Sequence, residues 1–249
     1  MRHVETVMGV PMSIDIRDVG DHHAAADDAF HELRSADELF SPYRPESELS
    51  RVNRGELAPE AIDVRFSDVL ALAERFSVVS GGTFTLRDTD GRLDLNGIVK
   101  GWAAQRAADL LRSRGLRDFC LNAGGDVIAA GGPAPGRRWH IGVRSPEFAD
   151  RMLAVFSLAD ETIATSGCYE RGSHIVDGRT GLPAGELASV SVISADLTTA
   201  DVLATTVYAM GADGVRWAAE RYECAILAVT DSGELIDGGD LRRALAVER

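Results

Sequence analysis

The chain has 249 residues, 45% of them hydrophobic and 26% charged, enough to bury a full core and a size that suits one large domain or two tightly joined ones. A formal net charge of −13 and a sequence pI near 4.9 argue against nucleic acid, which is held by clustered Lys and Arg. Three widely spaced cysteines, Cys120, Cys168 and Cys224, form no C-x-x-C pair and read as reduced thiols rather than a disulfide framework or zinc site.

The N-terminal stretch MRHVETVMGVPMSIDIRD alternates apolar and polar residues and offers no apolar run that could serve as a signal-peptide core. No lipoprotein signal is seen and no segment approaches transmembrane length, so no membrane segment and a cytoplasmic location are expected. His3–Val7 and Met12–Ile16 predict a strand pair. DDAFHELRSADELF then places Phe30, Leu33 and Phe40 on one helical face. SPYRPES breaks that helix, Ser47 can cap a short turn through ELSRVN, and an amphipathic helix covers about Arg65–Ser80 before Gly81 and Gly82 stop it.

After the small turn DTDG, Leu93–Leu95 reads as a strand and Ile98–Arg114 as a helix ended by Gly115. Phe119–Leu121 reads as a strand running into NAGGDVIAAGG. The Pro/Gly stretch Gly131–Arg138 is an expected exposed loop. From Trp139 the short alternating runs WHIGVRS, MLAVFSLAD, TIATSG, HIVDGRTG and ASVSVIS suggest a largely antiparallel sheet. Helices are expected over roughly Thr199–Met210 and Val215–Tyr222, with CAILAVT and ELIDGG closing the chain. The fold class is α/β of the α+β kind: one domain over 1–249, a mixed or antiparallel sheet and flanking helices.

The common nucleotide and zinc signatures are missing: there is no G-x-x-x-x-G-K-[ST], no Rossmann glycine pattern after the first strand and no H-E-x-x-H. Polar, Gly-containing clusters lie instead at Asp94–Gly101, Asn122–Asp126, Thr165–Glu170, His174–Gly181 and Thr198–Thr205. Most fall at strand ends or helix starts, where backbone N–H groups meet anions. Asp201 and Thr205 are spaced i,i+4, so both oxygens can face one hard cation. The plainer reading makes Asp201 a helix N-terminal charge and leaves Thr205 packing or bonding back to its own helix.

Gly97 offers an unobstructed carbonyl beside the Asp94 carboxylate, with Lys100 one turn on as a point charge suited to a phosphate or flavin carbonyl. Alone, that set is a glycine turn with a surface ion pair. NAGGDV alone is a glycine hairpin, and His174 alone is a core histidine.

The ordered series VMGV, FSPYRPESELSRVN, GGTF, LDLNGIVKGWAAQRA, NAGGDVIAAGG, IATSGCYERGSHIVDGRTGLPA and ASVSVISADLTTADVLATTVYAMG resembles the ApbE family, the FAD:protein FMN transferases. The likeness runs over nearly the whole chain with the motifs in family order. It implies a T-fold-related domain that binds FAD with Mg²⁺ on the pyrophosphate and passes FMN to a Ser or Thr hydroxyl of an acceptor flavoprotein, releasing AMP. Phosphoryl transfer asks for alignment and charge neutralisation, which a cation, a Lys and backbone donors supply.

By that resemblance the Gly97 carbonyl, Asp201 and Thr205 hold the metal, and Asp94 and Lys100 contact FAD at the reacting centre. Met8, Tyr43, Phe84 and Thr85 line the flavin or adenine pockets, and Gly124, Gly125 and Asp126 form the hairpin near the nucleotide. Ser166, Val176, Asp177 and Thr180 surround the site. His174 matches the histidine before the family's D-x-x-T-G turn, and on chemical grounds it can accept the proton of the incoming hydroxyl.

The sequence departs from the family pattern in places. It has MGV for MGT, Thr85 for an Asp, Gly178 for a Pro, Cys168 where an Asp is common, and only a short turn between Phe84 and Leu93 where longer members carry an insert. Three readings stay open: the transferase, a Mg²⁺-dependent FAD pyrophosphatase that uses water in place of the hydroxyl, and a non-catalytic FAD-binding module.

Overall fold

The computed structural model describes residues 1–148, 150–167 and 175–246. Its centre is an eight-stranded sheet. The first two strands, β1 (Arg2–Val7) and β2 (Val10–Ile16), form a hairpin whose two-residue turn, Met8-Gly9, has φ of 52° and 74°, the backbone a tight right-twisted hairpin needs. β3 (Phe119–Ala123) and β4 (Asp126–Ala130) form a second hairpin through Gly124-Gly125, and β7 (Glu161–Gly167), β10 (Leu187–Ser194), β11 (Ala225–Thr230) and β12 (Leu235–Gly239) follow. Their order is β1-β2-β3-β4-β7-β10-β11-β12, with every neighbouring pair antiparallel.

Both faces of the sheet are covered in its middle, which is why all five residues of β4 are buried. On one face lie α1 (His23–Phe40), α4 (Asn96–Ser113) and α5 (Leu197–Met210), packing Phe30, Ile98 and Leu203 against Ile14, Leu121 and Val192. On the other lies the hairpin of β5 (Trp139–Arg144) and β6 (Met152–Leu158), whose Trp139, Phe156 and Leu158 meet Val127, Ala129 and Ile163. The period of two in β4 sends Ile128 and Ala130 to the first core and Val127 and Ala129 to the second. The short α2 (Glu48–Asn53) is capped by Ser47 accepting from Ser50 N–H, and α3 (Val64–Val79) and α6 (Ala212–Arg221) are the other α-helices among the described residues.

Several boundaries differ from the sequence reading. The sheet itself agrees with the expectation of a mixed or antiparallel arrangement, every pair among the described residues being antiparallel. Leu93–Leu95 is not a strand: only an isolated bridge joins Arg87 and Leu93, and the Asn53 side chain takes a neighbour's place by accepting from Leu93 N–H at 2.8 Å and donating to its carbonyl at 2.9 Å. In HIVDGRTG, β8 (Val176–Asp177) pairs, among the described residues, with β9 (Leu182–Pro183) and not with the main sheet. Helix α5 begins two residues before Thr199, because Asp196 accepts from Thr199 N–H at 2.8 Å and so serves as the cap. Helix α6 begins at Ala212, not Val215.

Candidate functional site

The site is built where the β3–β4 turn and the end of β7 meet the N-terminal halves of α4 and α5. Asp126, the first residue of β4, is 2% exposed, and its Oδ1 accepts from Thr165 N–H of β7 at 3.0 Å. Among the described residues its Oδ2 meets no donor other than the Lys100 ammonium, which lies directly on it. Asp201, in the second turn of α5, is also buried: its Oδ2 accepts from Gly101 N–H at 2.9 Å, and its Oδ1 is 3.4 Å from Lys100 Nζ. One ammonium therefore serves two buried carboxylates, and the cluster carries a formal charge of −1.

Small residues make this approach possible. Along α4, Gly101, Ala103, Ala104, Ala107 and Ala108 are all buried, and a Cβ on Gly101 would lie 2.7 Å from Asp201 Cβ and 2.8 Å from the Leu197 carbonyl oxygen. Regular helical geometry would give the Gly101 N–H to the carbonyl of Gly97. Its bond to Asp201 weakens that claim and leaves the Gly97 oxygen capacity for another partner.

Thr205 adds a hydroxyl. Its neighbour Thr206 bonds back to Val202 O at 2.7 Å in the way of a mid-helix threonine, whereas Thr205 Oγ1 meets Ser166 Oγ of β7 at 3.2 Å. Gly97 sits against Thr205, with 3.6 Å between the place of a Cβ and the Thr205 methyl. The carbonyl, hydroxyl and carboxylate named in the sequence thus come from adjacent turns of two packed helices. All are hard oxygen donors. Among the described residues no group of three or more His, Cys, Asp or Glu could hold a metal alone. A donor set with one or two carboxylates fits Mg²⁺, which commonly completes its shell with water and substrate phosphates.

Other residues take positions around this centre. Asp94 Oδ1 accepts from Asn96 N–H at 2.9 Å at the start of α4, and Asp94 makes no ion pair among the described residues. Phe84 is 4% exposed, packed on Phe76 and under Gly97, so its ring supports the helix start and does not present a face to solvent. Tyr43 is 87% exposed in the turn after α1. Thr85 Oγ1 accepts from Arg87 N–H at 3.1 Å and lines a surface groove of about 640 Å³ with Asn53, Leu70, Arg87 and Leu93. The short segment above it is a closed turn, in which Asp88 Oδ1 accepts from the N–H groups of Asp90 and Arg92, both at 2.9 Å.

Met8 forms the β1–β2 turn, at the same end of the sheet as Gly124 and Gly125; Gly125 N–H donates to Asn122 Oδ1 at 3.0 Å. Val176 pairs with Pro183. The following turn is held by Asp177, which the Arg179 guanidinium bonds at 2.7 Å and keeps below the usual carboxylate pKa. Thr180 Oγ1 accepts from Leu182 N–H at 3.2 Å in that turn. His174 and Cys168 lie outside the described residues.

Gly101, Thr165 and Arg179 fall within the polar clusters of the sequence, but no role is assigned to any of them there. Gly101 had a signal: it is the second glycine of GIVKG, four residues after the first. Thr165 acts through its backbone N–H and leaves no trace in residue type.

Comparison with known proteins gives a consistent result. The sequence model described as the ApbE family matches residues 8–87 and 85–228. A protein of Rhodobacter capsulatus named FAD:protein FMN transferase is 35% identical over 204 residues, covering 76% of this chain and 39% of that protein. One of Klebsiella pneumoniae (strain 342) with the same name is 32% identical over 197 residues, covering 73% of this chain and 60% of its own length. The chain thus matches less than two thirds of either relative. Among solved structures, a flavin transferase ApbE from Vibrio cholerae superposes with a TM-score of 0.85 at 23% identity, covering 98% of this chain and 99% of that one. The ApbE protein of Thermotoga maritima gives 0.80 at 22%, with 98% of each chain covered. At these identities the structural likeness establishes the fold.

Proposed function

The chain belongs to the ApbE family, and from that premise we propose that it transfers FMN from FAD to a Ser or Thr hydroxyl of an acceptor flavoprotein, with Mg²⁺, releasing AMP. The observation that carries this reading is the buried Lys100–Asp126–Asp201 cluster with Gly97 and Thr205 beside it. A cluster of formal charge −1 in a chain of net charge −13 repels a diphosphate. Asp201, Thr205 and the Gly97 carbonyl would hold a divalent cation, which would reverse that sign locally.

In the proposed reaction the acceptor oxygen forms a bond to the FMN-side phosphorus as the anhydride P–O bond to AMP breaks. The bridging oxygen leaves with AMP, and the hydroxyl proton passes to a base, a role for which His174 is suited. Mg²⁺, when bound, supplies charge neutralisation on the pyrophosphate. Lys100 adds a second positive charge beside the phosphates, and its ion pair with Asp126 fixes where that charge stands. Ser166 orients the Thr205 hydroxyl. The turn at Asp177–Thr180 and the β1–β2 and β3–β4 turns shape the end of the sheet against which the nucleotide rests.

The test is incubation of the purified protein with FAD and Mg²⁺, with and without an acceptor flavoprotein, following AMP by chromatography and covalent flavin by in-gel fluorescence. The proposal expects both products, in equal amounts, only with the acceptor. AMP without acceptor would instead establish hydrolysis, and FAD binding with neither product a binding module.

A further inference from the structure

We propose that Asp126 is a positioning residue that draws Lys100 off Asp201 and thereby leaves Asp201 open to a divalent cation. This inference rests on the metal reading given above. Two buried carboxylates share one ammonium, and they share it unequally. Asp126 has its Oδ1 fixed by Thr165 N–H at 3.0 Å and its Oδ2 directly on Lys100. Asp201 has its Oδ2 fixed by Gly101 N–H at 2.9 Å, while its Oδ1 keeps only a long 3.4 Å contact with Lys100.

The inequality has a chemical consequence. A carboxylate oxygen closely paired with an ammonium is a poor cation ligand, because the cation must displace or repel the ammonium before it can bind. Asp126 is anchored on the sheet by the β7 backbone, so its pull on Lys100 comes from a fixed point. With Asp126 neutralised, the nearest remaining counter-charge for Lys100 among the described residues is Asp201 Oδ1. The ammonium then occupies the oxygen that a cation needs. A purely structural ion pair predicts loss of stability as its main effect.

The probe is Mn²⁺, a hard cation that can be counted by electron paramagnetic resonance of its free form without FAD or turnover. Wild type, Asp126→Asn, Lys100→Met and the double variant are titrated, with thermal unfolding measured on each. Asp126→Asn is expected to weaken Mn²⁺ binding by roughly tenfold or more, the size seen when a metal ligand loses its supporting partner. Lys100→Met is expected to bind at least as tightly as wild type, and the double variant to recover what Asp126→Asn loses.

Unchanged binding in folded Asp126→Asn, or a double variant as weak as the single, overturns the inference while leaving the metal reading intact. Absence of Mn²⁺ binding in wild type overturns both. Should Asp126→Asn fail to fold, Lys100→Met decides alone: weaker Mn²⁺ binding in that folded variant contradicts competition between the two cations.

Discussion

The backbone N–H of Gly101 donates to the Asp201 carboxylate at 2.9 Å, across a helix contact too close for any side chain on residue 101. An added methyl meets Asp201 Cβ and the Leu197 carbonyl, neither of them the free end of a flexible chain. Ala gains about 1 kcal/mol over Gly in helix propensity, but overpacking of this kind costs about 1–3 kcal/mol. Gly101→Ala is therefore expected to lower thermal stability and to displace Asp201, reducing AMP formation in the folded protein. Wild-type turnover in a folded Gly101→Ala protein would show that this contact does not position the site.

Asp201 and Asp196 stand five residues apart in sequence and separate two roles. Asp196 is the helix cap, so Asp196→Ala is expected to cost about 1 kcal/mol of stability and to leave turnover of the folded protein unchanged. Asp201→Asn can still accept the Gly101 N–H and should fold, yet turnover should fall on the order of 10²–10³-fold, the range for losing one electrostatic stabiliser. Paired denaturation curves and initial rates check both. Similar rates in the two variants would remove Asp201 from the chemistry.

Much of this arrangement was legible in the sequence because it depends on periodicity and residue type. The i,i+4 spacing of Asp201 and Thr205 survives as geometry on α5, and the glycines of NAGGDV became the β3–β4 turn. Other parts depend on tertiary neighbours. The strand expected at Leu93–Leu95 fails because Asn53, forty residues earlier than Leu93, satisfies that backbone with its side chain. Phe84 reads as a ligand-facing aromatic in sequence but is core in the structure, since residue type does not tell which face of a ring is covered. The Lys100–Asp126 pair joins residues from different elements, and no local pattern announces it.

Gly178 is fitted to this chain's own surroundings. Its N–H donates to Thr83 O at 3.0 Å, and a Cβ there would collide with Gly82 O and lie 2.7 Å from Thr85 Cβ. Gly178→Pro removes the donor and adds the clash, so a loss of about 1–3 kcal/mol is expected for the unpaired carbonyl alone. Chemical denaturation measures it; a variant as stable as wild type would mean the turn is free to move away from residues 82–85.

Asp177 gives a pH prediction with a defined sign. Hydrogen bonds from Arg179 hold its carboxyl below the ordinary 3.8, so the stabilisation is fully present above that value. It is lost only as pH falls through the depressed one. Because the guanidinium is half exposed, the effect is read at the residue: the Asp177 carboxyl resonance should titrate below pH 3.8 in wild type and move up toward it in Arg179→Gln. Identical titration curves would contradict the pairing.

Mg²⁺-dependent FMN transfer at the Asp201 centre can be followed by mass spectrometry of an acceptor flavoprotein incubated with this protein, FAD and Mg²⁺. A mass increase of one FMN unit on a Ser or Thr is expected, matched by one AMP, lost on chelation of the metal and lost in Asp201→Asn. An acceptor that stays unmodified while FAD and Mg²⁺ are demonstrably bound, or one modified equally well by Asp201→Asn, would contradict it.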